Sequence, residues 1–525
     1  MRQLIEDLEM HRSALQARLD SQKTSAERNR LGQFATPTQL ARDVLTYGLS
    51  LLPETMPIRF FDPAIGTGSF YSALRSTSTG RPVKSAQGFE IDPHYGEPAR
   101  ALWQGTPLDI KITDFTRQTA AAADSKKATL LICNPPYVRH HHLNGAEKIR
   151  LQSAALETAH IRLSGLSGLY CYFMALAHSW MSEGGVAGWL IPSEFMDVNY
   201  GRMLKQYLLR DVTLLHIHRF DPNNVQFDDA LVSSAVVWFR KEKPPVDHHV
   251  MFSYGGTMRA PTLTSRVSIH DLRCSDKWTK FPKYGPSIEH EGYRLADLFA
   301  IKRGLATGSN DFFIVDEAKA NSLNLPWRFL RPVLPSTRYI KADEINADSA
   351  GVPLLDKRLF LIDCDRPEEE IAREQPVLWA YLQTGVERVA PRYLCRSRRI
   401  WYGQERRPAA PIVCTYLGRS DHERRPFRFL LNNSQATATN VYLMLYPQPL
   451  LAKQLMLCPG GMRSLWQALN SIERDTLLGN GRVYGGGLHK LEPRELGNVP
   501  ADSLAALVGL KPKAWQLELI GKTAT

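Results

Sequence analysis

The sequence predicts an α/β chain, with a mainly parallel, doubly wound sheet in its N-terminal half and a C-terminal α+β domain. Three observations carry that expectation. Between Phe60 and Phe239 short apolar runs alternate with helical stretches, as βαβ units require. One run, Phe60-Phe61-Asp62, opens into the glycine-rich turn Pro63-Ala64-Ile65-Gly66-Thr67-Gly68, the type of turn that joins a strand to a helix beside a ligand. After Arg240 the segment Lys241-Glu242-Lys243-Pro244-Pro245 ends the alternation, and a less periodic region follows.

Taken in order, residues 1–30 place Leu4, Leu8, Leu15 and Leu19 at helical spacing among charges, which predicts an amphipathic helix against the body or, alternatively, a partner-binding helix. Strands are expected at residues 58–61, 85–91, 110–113, 129–133, 186–191, 213–217 and 232–239, with both sheet faces covered. Residues 163–182 are uncharged and long enough to cross a bilayer, but they begin Leu-Ser-Gly-Leu-Ser-Gly and read better as a buried helix. The expected division is a domain over 31–245, a linker region over 246–300 and a second domain over 301–525.

Lys and Arg total 65 against 53 Asp and Glu, a formal charge of +12 with a pI near 9.3, which favours polyanionic partners. The excess is larger in residues 301–525, which carry 31 basic and 23 acidic side chains. Ten arginines fall between Arg392 and Arg428. The seven cysteines are scattered without a Cys-x-x-Cys pair, and the N-terminus has no apolar export signal, so reduced thiols in a cytoplasmic protein are expected.

The chemistry is carried by polar residues at successive strand ends. Asp62 closes the first, Glu90 the next, and Asp114 with Phe115 the third. A carboxylate at such a place accepts hydrogen bonds from two ribose hydroxyls, or from a base amine, and the following ring can cover the base. The glycine turn lacks the third glycine of a dinucleotide fingerprint and the Gly-Lys-Ser/Thr of a phosphate loop, so a nucleoside-like ligand without a bound phosphate fits. Each acid alone would read as a solvated loop residue; three in register, one per βα unit, do not. The fourth strand runs into Asn134-Pro135-Pro136-Tyr137. Two prolines fix the backbone and remove two N–H donors, leaving the Asn134 amide oxygen and the Pro135 carbonyl as acceptors. A base amine has two hydrogens to give them, and Tyr137 is placed to stack on the base.

These segments resemble the class I, S-adenosylmethionine-dependent DNA methyltransferases that modify the exocyclic amine of adenine. Gly32-Gln33-Phe34-Ala35-Thr36-Pro37 resembles their N-terminal cofactor motif, Asp62 to Phe70 their glycine-rich motif, and Asn134 to Tyr137 their catalytic motif. The order, cofactor motif first and target recognition last, is that of the γ group. The resemblance implies a Rossmann-like catalytic domain. It implies a cofactor site lined by Thr36, Asp62, Ala64, Gly66, Glu90, Ile91, Asp114, Phe115 and Pro136. Asn134, Pro135 and Tyr137 would then act on the target base, with Phe227, in a segment resembling a late family motif, on its other face. Ile301 to Phe313 resembles the start of target-recognition domains in related restriction-modification enzymes.

On this reading the partner is double-stranded DNA, from which the adenine is rotated out of the stack, and the modification protects against a cognate restriction endonuclease. Arg396, Arg398, Arg399, Arg406 and Arg407, interleaved with aromatic residues, are expected on the DNA. His140-His141-His142 suggests a metal, but neighbours on a loop rarely converge on one ion and methyl transfer from a sulfonium needs none, so no metal is expected. The alternatives are an amine of RNA or of cytosine, a protein glutamine, or a catalytically silent DNA-binding module.

Overall fold

The structure of the protein, a computed structural model, describes residues 2–77, 81–221, 233–282, 292–419, 425–484 and 488–511. The chain divides near residue 288 into two compact units. The first begins with helices α1 (Arg2–Ser21), α2 (Ser25–Leu31) and α3 (Thr38–Leu51). It continues through β1 (Ile58–Asp62), α4 (Ser69–Ser76), β2 (Val83–Glu90), α5 (Pro93–Leu102), β3 (Leu108–Ile112) and β4 (Ala128–Cys133). Next come α6 (Gly145–Ala159), α7 (Leu169–Ala177), β5 (Met181–Pro192), α8 (Arg202–Arg210), β6 (Thr213–Arg219), β7 (Ser234–Arg240), β8 (His249–Tyr254) and β9 (Leu263–Ser268).

These nine strands form one sheet in the order β3-β2-β1-β4-β5-β7-β6-β8-β9. The run from β3 to β5 is parallel, whereas β7 lies antiparallel to both neighbours. Successive strand residues face opposite sides, so a sheet covered on both faces needs apolar residues at consecutive positions. Phe60 and Phe61 show this directly. Phe60 joins Tyr71, Trp103 and Trp238 on one face, and Phe61 joins Phe89, Phe115 and Trp180 on the other.

All seven expected strands are present. Residues 246–282, within the expected linker region, are however no linker, because β8 pairs parallel with β6 and β9 closes the edge against β8. The pattern of β8 is half-polar: Val250 and Phe252 are buried while His249 and Met251 are exposed, and such strands read as irregular sequence. Residues 163–182 are not one helix either, since α7 is followed by a 3₁₀ turn and the start of β5. Among the described residues no helix is long and apolar enough to cross a membrane.

The second unit is an α+β arrangement. Strands Phe299–Arg303, Tyr442–Pro447, Ile412–Thr415, Phe429–Asn432 and Glu344–Ile345 make a five-stranded sheet in that order, antiparallel except at its last pair. Helix Gly461–Ser471 sends Leu465 and Leu469 into the core shared with Ile412 and Leu443. Two three-stranded sheets complete the unit.

The turn after β1 is held by an unusual backbone. Gly68 has φ +92°, and a Cβ there would lie 2.5 Å from Trp103 Nε1, which itself donates to the Thr67 carbonyl at 2.9 Å. Gly68→Ala is therefore expected to lower stability by about 1–3 kcal/mol, read as a reduced denaturant midpoint.

Candidate active site

The chain runs β1, β2, β3 in one direction across the sheet and then returns to place β4 on the other side of β1. Connections leaving β1 and β4 diverge, and a crevice opens at the carboxyl ends of the strands. A cavity of about 580 Å³ occupies it, within the range of small-molecule sites. Ala64, Gly66, Glu90, Ile91, Asp114, Phe115, Asn134 and Pro136 all line it.

The strand-end acids differ in task. Asp62 is buried beneath the glycine turn, where Oδ1 accepts the Ala64 N–H at 3.0 Å. Glu90 reaches the cavity and accepts Gly66 N–H at 3.1 Å on one oxygen and Asp92 N–H at 2.9 Å on the other. Desolvation pushes both carboxyls up to about 7, with the backbone donors opposing it. Asp114 Oδ1 takes the Thr116 N–H and hydroxyl at 2.9 and 2.7 Å, and Oδ2 lies 3.3 Å from Arg117 Nε. Gly66 has φ +54°, and a Cβ built on it meets nothing within 4 Å, so the backbone itself edges the cavity.

At the end of β4, Asn134 Nδ2 donates to the Phe34 carbonyl at 3.0 Å and to Thr36 Oγ1 at 3.1 Å. A carbonyl only accepts, so the Phe34 bond fixes which end of the amide is nitrogen. Oδ1 is left buried without a hydrogen-bond partner. Such an acceptor costs about 1–3 kcal/mol unless something fills it. Thr36 thus acts as a holder of Asn134 and is not itself in the cavity lining.

Pro135 and Tyr137 are also outside that lining. The Tyr137 ring is 9% exposed, lies 5.7 Å from Phe34 and donates its hydroxyl to the Leu190 carbonyl at 3.0 Å. Phe115 lines the cavity but also packs among Phe61, Phe89 and Phe173. Phe227 lies outside the described residues. In the second unit Arg396, Arg399 and Arg406 are exposed, whereas Arg398 donates to the Ala306 carbonyl at 2.8 Å and Arg407 to that of Arg303. His142 lines the cavity, and no group of three or more His, Cys, Asp or Glu placed to hold a metal occurs among the described residues.

The sequence did not point to the part played by α1 and α2. Gln16, Asp20, Arg30 and Leu31 form a wall of the cavity. Arg12 and Glu9 pair in the interior, Arg12 also reaching Thr67 Oγ1 at 3.1 Å, while Glu9 accepts from Thr38 at 2.5 Å and from Ser72. The Arg12 guanidinium and the hydroxyls of Ser72 and Thr38 outweigh burial and hold the Glu9 carboxyl below its ordinary range. The available signals were the Thr24–Glu27 capping box and the left-handed Gly32 that ends α2.

A nucleoside-sized crevice beside an Asn-Pro-Pro-Tyr corner on this sheet is the site of a methyltransferase. The model for Eco57I restriction-modification methylases matches residues 94–226, and that for the C-terminal domain of the type II methyltransferase M.Eco57I matches residues 287–515. Type II methyltransferase M.XamI of Xanthomonas campestris pv. amaranthicola is 28% identical over 490 residues, covering 91% of this chain and 86% of that one. M.AccI of Acinetobacter calcoaceticus is 25% identical over 487 residues, 89% and 85% of the two chains. The type IIL restriction-modification enzyme MmeI, solved with DNA, superposes with a TM-score of 0.54 at 11% identity over 88% of this chain, which spans 64% of that one and shares its fold. The chain is a DNA methyltransferase of the restriction-modification type.

Carboxyls raised to about 7 stabilise the fold while protonated, and that contribution fades as pH rises from their unfolded values near 4 through 7. Asp62→Asn removes one such group. Its denaturation midpoint relative to the parent protein should therefore climb between pH 5 and pH 8, measured without ligand.

Proposed function

We propose that the protein transfers a methyl group from S-adenosylmethionine to the N6 amine of a specific adenine rotated out of duplex DNA, as a γ-group enzyme, and so protects host DNA from a cognate restriction endonuclease. The observation that carries this reading is the unfilled acceptor Asn134 Oδ1, oriented by Phe34 and Thr36 at the edge of the cavity.

The cavity residues fit the cofactor. Glu90 accepts its ribose hydroxyls, Asp114 its adenine amine, Ile91, Phe115 and Pro136 cover the base, and the bare backbone at Ala64 and Gly66 admits the remaining chain. Asp62 shapes that backbone from below through Ala64. When bound, S-adenosylmethionine supplies a methyl on a positively charged sulfur. Asn134 Oδ1 and the Pro135 carbonyl accept the two amine hydrogens of the target, which turns the nitrogen lone pair out of conjugation and toward the donor. The site's other work is alignment and exclusion of water. Tyr137, with its hydroxyl anchored on Leu190, stacks on the base once DNA binding uncovers it, and Phe227 takes the other face of the base. Exposed Arg396, Arg399 and Arg406 contact DNA; Arg398 and Arg407, tied to backbone carbonyls, shape the segment that carries them.

Purified protein should move label from S-adenosylmethionine to duplex DNA, and nucleoside digestion should return N6-methyladenine. Recovery of N4-methylcytosine would reassign the base, and label confined to RNA or protein would overturn the substrate. Asn134→Ala is expected to reduce turnover by at least about 100-fold with cofactor binding retained, as judged by calorimetry.

A further inference from the structure

The strand-end residues account for the adenosine part of the proposed cofactor, which leaves its zwitterionic amino-acid end without charged partners. Among the residues lining the cavity, α1 and α2 contribute one carboxylate, Asp20, and the single guanidinium, Arg30. Neither family match reaches this segment, since the first begins at residue 94.

Asp20 is a prepared acceptor. Its Oδ1 receives Gln16 Nε2 at 3.0 Å and the Tyr95 hydroxyl at 2.8 Å, while Oδ2 stands 3.8 Å from Arg28 Nη1, beyond hydrogen-bonding distance. Gln16 is fixed in turn, its Oε1 accepting from Thr67 Oγ1 at 2.6 Å. The chain Thr67–Gln16–Asp20–Tyr95 therefore runs from the turn after β1 to the helix after β2. Gln16, Asp20 and Tyr95 all line the cavity. Arg30 sits in the last turn of α2, makes no ion pair among the described residues, and stands two positions before Gly32. The interior Glu9–Arg12 pair pins α1 to Thr38, Thr67 and Ser72, so the wall is preformed.

Resting on the cofactor assignment above, we infer that α1 and α2 form an amino-acid subsite in which Arg30 binds the α-carboxylate and Asp20 the α-ammonium of the methionine moiety. A carboxylate–ammonium and a guanidinium–carboxylate contact are charge-assisted hydrogen bonds, and losing either one weakens binding by roughly 10- to 100-fold. Gln16 and Arg12 are positioning residues that act through Asp20 and Thr67.

The test is calorimetric binding of three ligands to the full chain: S-adenosylmethionine, S-adenosylhomocysteine and 5′-methylthioadenosine, the last lacking the amino-acid end. Asp20→Asn and Arg30→Gln should weaken the first two roughly 10- to 100-fold and leave the third unchanged, while Arg18→Ala on the exposed face of α1 alters none. Equal weakening of all three ligands would reduce the segment to scaffolding and overturn the inference. So would unchanged affinity for all three. If the parent protein binds none of them, the cofactor assignment itself fails, which separates that outcome from loss of the subsite alone.

Discussion

One constraint organises the catalytic unit: a parallel sheet whose chain order reverses beside β1 must leave its carboxyl edge uncovered at that point. Parallel register then sets depth. Asp62 pairs with Gly88 and Glu90 with Ile112, so the polar residues that close β1 and β2, and those just beyond β3 and β4, arrive at neighbouring positions along one edge. Glu90, Asp114 and Asn134, separated by up to 44 positions in sequence, thereby line one cavity, and Asp62 supports the turn beside it from below.

The edge is held against its own electrostatics. Two carboxyls are withdrawn from water and titrate near neutrality, and one amide oxygen is buried without a donor. Backbone N–H groups of Ala64, Gly66 and Asp92 offset part of that desolvation, and the aromatic cluster of Phe61, Phe89, Phe115 and Trp180 keeps the strand ends from relaxing. Such local disagreement with good packing practice is what a preorganised ligand site looks like when its ligand donors are not counted.

The legible parts of the sequence were those where local chemistry and periodicity agree. Seven strands showed as apolar runs, and the glycine turn and the proline corner each restrict the backbone in ways only a few residues allow. Strands β8 and β9, the last two of the sheet, were hidden because few of their residues are buried apolar ones: Val250 and Phe252 in β8 and Val267 in β9. Tyr137 looked like a free stacking ring, since nothing near it in sequence betrays the Leu190 carbonyl that anchors it. Glu9 and Arg12 stand at i, i+3, a spacing that is the same whether the pair faces water or the interior, so nothing in the sequence marks the pair as interior. Arg398 and Arg399 are adjacent and identical in type, yet one is tied to a carbonyl and the other is exposed; only the fold separates them.

The Asn134–Tyr137 corner is stitched to the N-terminal segment by three bonds: Tyr137 N–H to the Gly32 carbonyl, and Asn134 to both Phe34 and Thr36. Gly32 can be nothing larger there, because a Cβ would stand 2.3 Å from the Tyr137 nitrogen. The segment thus docks sideways onto the corner and owes its place to these contacts, with covalent connection to α3 serving only as a tether. Its hold on Asn134 and Tyr137 therefore depends on the backbone of residues 32–36 keeping this register, which a side chain at position 32 would displace.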